Sequence, residues 1–280
     1  MRPAAFTYTR PATLADALRA MAGGAVPLAG GQSLLPAMRL RSATPQALVD
    51  LAGVAELSDA ITCNDDILTI GARVTHNALL EHASLANEWP WLRAAAHALG
   101  DVQVRNLGTV LGNVCWADPR ANMAVALLAC DALVTAVAPS HGDGVDRIAL
   151  SDFFTGFRSH ALNGRLATSI EIKRRVGARG VYLEFSRQRQ DLALVNVCVV
   201  RAAQYARVAV GGIDPMPVRL PEVEAAIVDG DSGDVVHALH ENLVRGRHAP
   251  PQDHHGTDEY KLGLAVTLIK RALALGEVPA

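Results

Sequence analysis

The sequence predicts an α+β fold in three parts: an N-terminal α/β domain, a middle α+β domain, and a C-terminal domain with a three-stranded antiparallel sheet and a helix bundle. Three observations support this. Short apolar runs alternate with helical patterns at the start, glycine-rich turns interrupt the middle, and three consecutive β-branched runs precede helical patterns near the end. We expect the parts at residues 1–53, 54–175 and 176–280.

The N-terminal part begins with a helix signal and continues as alternating strands and helices. Thr13 and Asp16 have capping-box spacing before an apolar run, with Asp in place of the usual Glu. The predicted helices cover residues 15–21 and 34–40, and the predicted strands cover 26–29 and 46–51.

The middle part mixes strands and helices around a glycine-punctuated stretch at 100–118, for which no regular element is predicted. The predicted strands are 67–72, 133–138 and 168–172, and the predicted helices are 75–82, 91–99 and 121–130. Gly142 to Gly144 marks a turn.

The C-terminal part contains strands at 182–187, 193–202 and 205–211, joined by short turns that indicate an antiparallel meander. A loop at 215–221 precedes helices at 222–228, 235–244 and 257–275. In the last helix, the apolar spacing predicts a buried face of Leu262, Val266, Ile269 and Leu273.

Composition excludes several functional classes. The 280 residues are 50% hydrophobic, which is enough for packed cores and argues against disorder. A net charge of −2 provides no field for nucleic acid or an anionic membrane, and 4% aromatic residues disfavour a base-stacking surface. We find neither a leader pattern nor an apolar run long enough to span a membrane, so a cytoplasmic location is expected.

No metal site is predicted. Cys63, Cys115, Cys130 and Cys198 lie far apart in apolar contexts, so the spacing of a zinc or iron–sulfur site is missing and buried reduced thiols are expected. His237 and His240 share a helix face but lack an obvious third ligand.

The first glycine stretch is Pro-Leu-Ala-Gly-Gly-Gln-Ser-Leu at 27–34, where a strand runs into a glycine pair and then a helix. Glycines allow left-handed backbone and close approach to a ligand, and their N–H groups favour an anion such as a phosphate. The alternative is an ordinary strand-to-helix turn.

The second glycine stretch runs from Arg105 to Pro119 and combines two glycines with a Thr hydroxyl, an Asn amide and an Asp carboxylate. These groups can bind phosphate oxygens and a sugar, or can stabilise a polar loop by Asx turns. Two such stretches in one chain favour a dinucleotide held in a cleft between two domains.

These segments resemble the FAD-binding medium subunit of molybdenum hydroxylases, the group of carbon monoxide, xanthine and nicotinate dehydrogenases. The likeness covers essentially the whole chain. It is carried by Ala-Gly-Gly-Gln-Ser-Leu-Leu-Pro at 29–36, Val-Arg-Asn-Leu-Gly-Thr-Val-Leu-Gly-Asn at 104–113, Ala-Asp-Pro at 117–119, and by 190–195, 211–219 and 259–261.

The resemblance implies a PCMH-like FAD cleft between the first two domains. The first pyrophosphate loop would be Ala29, Gly30, Gly31, Gln32 and Ser33, and the second would be Thr109, Val110, Leu111, Gly112 and Asn113. Asp118 would help to hold the nucleotide, Leu166 and Ala167 would lie beside the isoalloxazine ring, and Asn122, Glu184 and Leu192 occupy further cofactor-facing positions. No catalytic acid or base is expected.

Four positions depart from the family pattern. Leu111 replaces the first glycine of a pair, and its side chain would crowd a phosphate if its backbone had positive φ or touched the ligand. Asn122 stands where an acidic residue is common, Glu184 where a basic one is frequent, and Leu192 where an aromatic one is common.

By resemblance, the chain would pass electrons through FAD from iron–sulfur clusters on a small subunit to NAD, a quinone or dioxygen. A large subunit would carry the molybdenum cofactor. The departures leave two alternatives open, namely a stand-alone flavoprotein with another reaction and a flavin-free binding or scaffold protein.

Overall fold

The computed structural model describes residues 2–138, 144–188, 190–230, 232–245, 248–251, 253 and 255–276. The turn predicted around Gly142 lies outside these residues.

The N-terminal part is a parallel three-stranded sheet with two helices, which confirms the α/β prediction. The elements are β1 (Thr7–Thr9), α1 (Leu14–Ala22), β2 (Val26–Leu28), α2 (Leu34–Arg39) and β3 (Ala47–Asp50), with strand order β1-β3-β2. Thr13 Oγ1 accepts a hydrogen bond from the Asp16 N–H at 3.2 Å and begins α1, as predicted. Strand β1 was not predicted because its three residues are exposed and show no alternation.

The middle part is built on an antiparallel five-stranded sheet. In chain order its elements are β4 (Ile61–Asn64), β5 (Ile67–Gly71), α3 (His76–Glu81), α4 (Ala83–Glu88), α5 (Pro90–Ala98), α6 (Val102–Leu107), α7 (Val110–Trp116), α8 (Asn122–Leu128), β6 (Leu133–Val137), β7 (Val145–Ala149), α9 (Leu150–Phe153), β8 (Phe154–Gly156), β9 (Ser159–His160) and β10 (Leu166–Lys173). The sheet order is β4-β5-β10-β6-β7, and β8 and β9 form a separate hairpin.

The glycine-punctuated stretch at 100–118 is helical, contrary to the prediction. Asp101 Oδ1 accepts the Val104 N–H at 2.8 Å and begins α6, and Thr109 Oγ1 accepts the Gly112 N–H at 3.1 Å and begins α7. These side chains satisfy N–H groups that the first helical turn leaves free. The two helices are short, and Gly108 separates them, so their apolar periodicity was too brief to recognise.

The described residues of the C-terminal part form four strands rather than three. Its elements are β11 (Arg179–Phe185), β12 (Val195–Ala202), β13 (Tyr205–Gly211), β14 (Val218–Arg219), α10 (Pro221–Asp229), α11 (Ser232–Leu239) and α12 (Asp258–Leu275), with antiparallel strand order β11-β12-β13-β14. The three predicted strands are confirmed. Strand β14 falls in the predicted loop at 215–221 because a two-residue edge strand leaves no periodic pattern.

Strand β12 connects the two hydrophobic cores, since successive side chains of a strand point to opposite faces. Cys198 and Val200 belong to the core that includes the N-terminal and middle parts, whereas Val197 and Val199 face the helices of the C-terminal part. This arrangement explains the unbroken apolar run of the strand and fixes the C-terminal sheet against the middle part.

One burial prediction was met in part and one was wrong. Of the predicted face of α12, Ile269 is buried in the C-terminal core, and Leu262, Val266 and Leu273 are partly buried against it. The buried side chains of the helix also include Lys261, Ala265, Leu268 and Ala272. Cys63 is exposed on β4, an edge strand whose last three residues are all exposed, although Cys130 and Cys198 are buried as expected.

Candidate functional site

The two glycine stretches, far apart in sequence, are in direct contact. The first forms the loop between β2 and α2, and the second surrounds the junction of α6 and α7. A Cβ atom at Gly30 would lie 1.9 Å from the carbonyl oxygen of Leu107 and 2.8 Å from the Cα of Gly108. Because no other residue can approach a backbone so closely, Gly30 is what allows the loops to meet.

The first loop presents a row of backbone N–H groups. Gly31 has a φ of +70°, in the left-handed region, and Gln32 Nε2 donates to the carbonyl of Gly30 at 3.1 Å. Within the described residues, the N–H groups of 30–33 donate to no protein acceptor. Consecutive N–H groups around a left-handed residue form a concavity that binds anions.

The second loop is held by the segment that precedes α3. The N–H of His76 donates to the carbonyl of Gly108 at 3.0 Å, and the N–H of Val110 donates to the carbonyl of Val74 at 2.9 Å. On either side of Val110, the N–H groups of Thr109 and Leu111 find no acceptor among the described residues. The two hydrogen bonds therefore hold the loop in place and leave these two N–H groups available to a ligand.

Arg105 fixes α6 beneath this loop. Its Nη1 donates to the carbonyls of Leu99 at 3.1 Å and Gly100 at 2.9 Å, just past the end of α5. Hydrogen bonds from a charged donor are stronger than neutral ones, so one side chain anchors the helix that leads into Gly108.

Leu111 does not occupy a strained backbone position. It is the second residue of α7, is absent from the residues with positive φ, and its side chain is only 3% exposed within the first core. The side chain therefore packs inward. The positive φ that would have made Leu111 a poor replacement for glycine is not present.

Asp118 is buried and held by two arginines. Its Oδ1 accepts the Arg120 N–H at 3.1 Å, and its Oδ2 accepts a hydrogen bond from Arg158 Nη2 at 3.3 Å. The Arg158 guanidinium also lies 5.0 Å from the centroid of the Trp116 ring. Asp118 thus links the end of α7 to the β8–β9 hairpin.

Two of the residues that depart from the family pattern are hydrogen-bonded to each other. Asn122 Nδ2 donates to Glu184 Oε2 at 2.7 Å, and the Tyr182 hydroxyl donates to the same oxygen at 2.9 Å. Burial raises the pKa of Glu184, and the two donors partly oppose that rise. Asn122 begins α8 and Glu184 lies on β11, so this contact joins the middle part to the C-terminal sheet.

The remaining predicted residues lie on other elements. Leu166 and Ala167 are buried at the start of β10, next to an irregularity in its pairing with β6. Asn113 Oδ1 accepts the Met123 N–H at 3.2 Å and connects α7 to α8. Leu192 is 50% exposed between β11 and β12, so the structure does not place it in a packed site.

Sequence reasoning missed His76. His76 is 2% exposed, and its Nδ1 has no hydrogen-bond partner among the residues that the structure describes. Burial and the nearby Arg105 lower its pKa to about 4. A Cβ at Gly108 would lie 3.2 Å from its Cδ2, so the neutral ring packs against the second loop. The only sequence signal was its position directly after the helix-capping Thr75.

In the part of the chain that the structure describes, no three or more His, Cys, Asp and Glu side chains are grouped as metal ligands. No helix there is both long enough and apolar enough to cross a membrane.

Comparison with known proteins gives matches along almost the whole chain. Residues 4–173 match the FAD binding domain in molybdopterin dehydrogenase, and residues 180–275 match the CO dehydrogenase flavoprotein C-terminal domain. The glyceraldehyde dehydrogenase medium chain of Sulfolobus acidocaldarius is 31% identical over 97% of this chain and 98% of its own length. The carbon monoxide dehydrogenase medium chain of Afipia carboxidovorans is 31% identical over 98% of this chain and 97% of its own.

Solved structures agree with these matches. A chain of reconstituted CO dehydrogenase from Oligotropha carboxidovorans superimposes with a TM-score of 0.92 at 29% identity and covers 100% of both chains. A chain of quinoline 2-oxidoreductase from Pseudomonas putida superimposes with a TM-score of 0.88 at 27% identity, covering 99% of this chain and 98% of that one.

Proposed function

The chain belongs to the FAD-binding medium subunits of the molybdopterin dehydrogenases, and on that premise we propose that it carries electrons from iron–sulfur clusters on a partner chain to an external acceptor. It is a subunit of an oxidoreductase that binds FAD. The acceptor is NAD, a quinone or dioxygen. When bound, FAD supplies the redox chemistry, and the protein positions and tunes it.

The two glycine loops fit the pyrophosphate of FAD. The N–H groups of 30–33, together with those of Thr109 and Leu111, are the donors we assign to the phosphate oxygens. These unpaired donors on two touching loops are the observation that carries the proposal. Because Leu111 packs into the core, its side chain leaves them accessible.

Other residues shape the cleft around these donors. We assign Ala29, Val110, Gly112 and Asn113 to the framework of the two loops. Asp118 fixes the second loop through Arg158. Leu166 and Ala167 form the wall beside the flavin ring, and Asn122, Glu184 and Leu192 lie on the opposite side of the ring. The contacts of Asp118 and of Asn122 with Glu184 support their parts of this assignment.

The chain works within a complex, because the relatives are themselves medium chains of larger enzymes. We assign to it a small subunit with iron–sulfur clusters and a large subunit with the molybdenum cofactor. A cytoplasmic location fits its four free cysteines, since disulfides are rare in reducing compartments.

The test begins with the purified chain, whose absorbance in the flavin bands is recorded before and after adding FAD. We expect about one FAD per chain and co-purification with subunits that contain iron and molybdenum. Mixing the reduced complex with NAD, a quinone and dioxygen in turn then identifies the acceptor by the rate of flavin reoxidation. A colourless chain that does not take up FAD would contradict the proposal.

A further inference from the structure

Two hydrogen bonds, joined by one peptide bond, lead from the second glycine motif to Glu184. Asn113, in α7, accepts the N–H of Met123 at 3.2 Å through its Oδ1. The residue before Met123 is Asn122, whose Nδ2 donates to Glu184 Oε2 at 2.7 Å. The position of the Glu184 carboxyl is therefore tied to the loop that we assign to FAD.

The C-terminal sheet holds this region from the other side. Asn196 is fully buried, and its Nδ2 donates to the carbonyl of Arg120 at 3.0 Å and to the Tyr182 hydroxyl at 3.1 Å. The N–H of Gly212 donates to the carbonyl of Pro119 at 3.1 Å. Strands β11, β12 and the end of β13 thus fix the segment that follows α7, and Glu184 with it.

The carboxyl of Glu184 has neutral partners. Asn122 and Tyr182 are its donors, and no ion pair among the described residues includes it. The Arg120 guanidinium, on the neighbouring segment, lies 3.5 Å from Asp118 instead. Burial keeps the pKa of Tyr182 well above its ordinary value, so this hydroxyl stays neutral. A half-buried negative charge without a cation acts strongly on any group beside it, since solvent screens it poorly.

We propose that Glu184 lowers the reduction potential of the bound flavin, because its uncompensated carboxylate disfavours the reduced and more negatively charged form of the cofactor. This inference rests on the proposed function, since it needs FAD in the cleft. The two side chains of Asn122 and Glu184 contact each other directly, so the carboxylate is held by a neutral amide and has no cation paired with it among the described residues.

The test measures the midpoint potential of FAD bound to the purified chain at pH 8, for wild type and Glu184→Gln. The variant removes the charge and keeps the size of the side chain. We expect its potential to rise by about 30 mV, which corresponds to a tenfold change in the ratio of affinities for reduced and oxidised flavin in a two-electron couple. Glu222→Gln, at an exposed carboxyl on α10, is the control and should leave the potential unchanged.

A potential for Glu184→Gln equal to those of wild type and the control, with FAD still bound, would overturn the inference. If Glu184→Gln fails to retain FAD, the double variant Asn122→Asp with Glu184→Lys carries the same comparison, because it places opposite charges across the 2.7 Å contact and leaves no net charge there. Its potential should exceed that of wild type, and an unchanged value counts equally against the inference. A wild-type chain that binds no FAD refutes the proposed function itself, at the absorbance step, and this inference with it.

Discussion

Replacing Gly30 with alanine tests the contact between the two glycine loops. The added Cβ would lie 1.9 Å from the Leu107 carbonyl oxygen, whereas non-bonded atoms settle at about 3.5–4.0 Å, so the loops must separate by roughly 1.6 Å or more. We expect this overpacking to lower the free energy of unfolding by about 1–3 kcal/mol. A shift of that size also misaligns N–H donors, each worth about 1.5–3 kcal/mol to a charged acceptor.

Losing two such donors weakens FAD binding by about 3–6 kcal/mol, which is at least a hundredfold in Kd. The assay is the quenching of flavin fluorescence on titration of FAD with the chain, with circular dichroism as the check on folding. Gly263→Ala, in α12, is the control because its Cβ would meet nothing within 4 Å. A folded Gly30→Ala protein that binds FAD as tightly as wild type would refute the reasoning.

Three further predictions concern groups around the site and in the C-terminal part. Arg105→Met removes the donor to the carbonyls of Leu99 and Gly100. Thermal denaturation should then show a free energy of unfolding lower by about 2–4 kcal/mol. An unchanged melting temperature would exclude the anchoring role. The pKa of His76 is lowered to about 4 in the folded state, so the unfolded state binds the proton more readily. The free energy of unfolding should therefore fall by up to about 3 kcal/mol as the pH drops from 6.5 to 4. Urea titrations of His76→Gln should lack this part of the pH dependence. Lys261 is buried, with its Nζ 2.6 Å from the Pro251 carbonyl oxygen and 3.1 Å from Asp253 Oδ1. Asp253→Ala leaves this buried charge without its carboxylate, so the free energy of unfolding should fall by about 3–5 kcal/mol. A measured fall below about 1 kcal/mol would contradict this pairing.

The order of elements followed from local patterns, whereas the contacts that build the site did not. Thr13, Thr75 and the three β-branched runs have signals within a few residues, and the structure confirms them. The meeting of Gly30 with Leu107 depends on how two distant segments pack, which no local pattern records. The burial of Lys261 is likewise set by acceptors at 251 and 253, outside its helix.

Asn122 and Glu184 are a second contact between distant segments that the sequence alone does not predict. In the sequence they are two separate departures from the family pattern, because position along the chain gives no measure of the distance between α8 and β11. In the structure they form one hydrogen bond of 2.7 Å. Their effect on the cofactor therefore has to be considered for the pair, and the assignment of both to the FAD cleft stays a prediction.

At position 111, phosphate binding requires the backbone N–H of the motif and does not require a glycine. The backbone N–H of a residue other than glycine can bind a phosphate oxygen as a glycine N–H does, provided that the side chain points elsewhere and the backbone needs no positive φ at that position. Leu111 meets both conditions, with helical backbone and a side chain buried in the core. Restoring glycine with Leu111→Gly should therefore leave FAD affinity unimproved and cost about 3–5 kcal/mol, from a core cavity and a more flexible helix start. Denaturant unfolding and FAD titration of this variant check the two parts separately. Tighter FAD binding by Leu111→Gly would mean that the leucine side chain obstructs the phosphate after all.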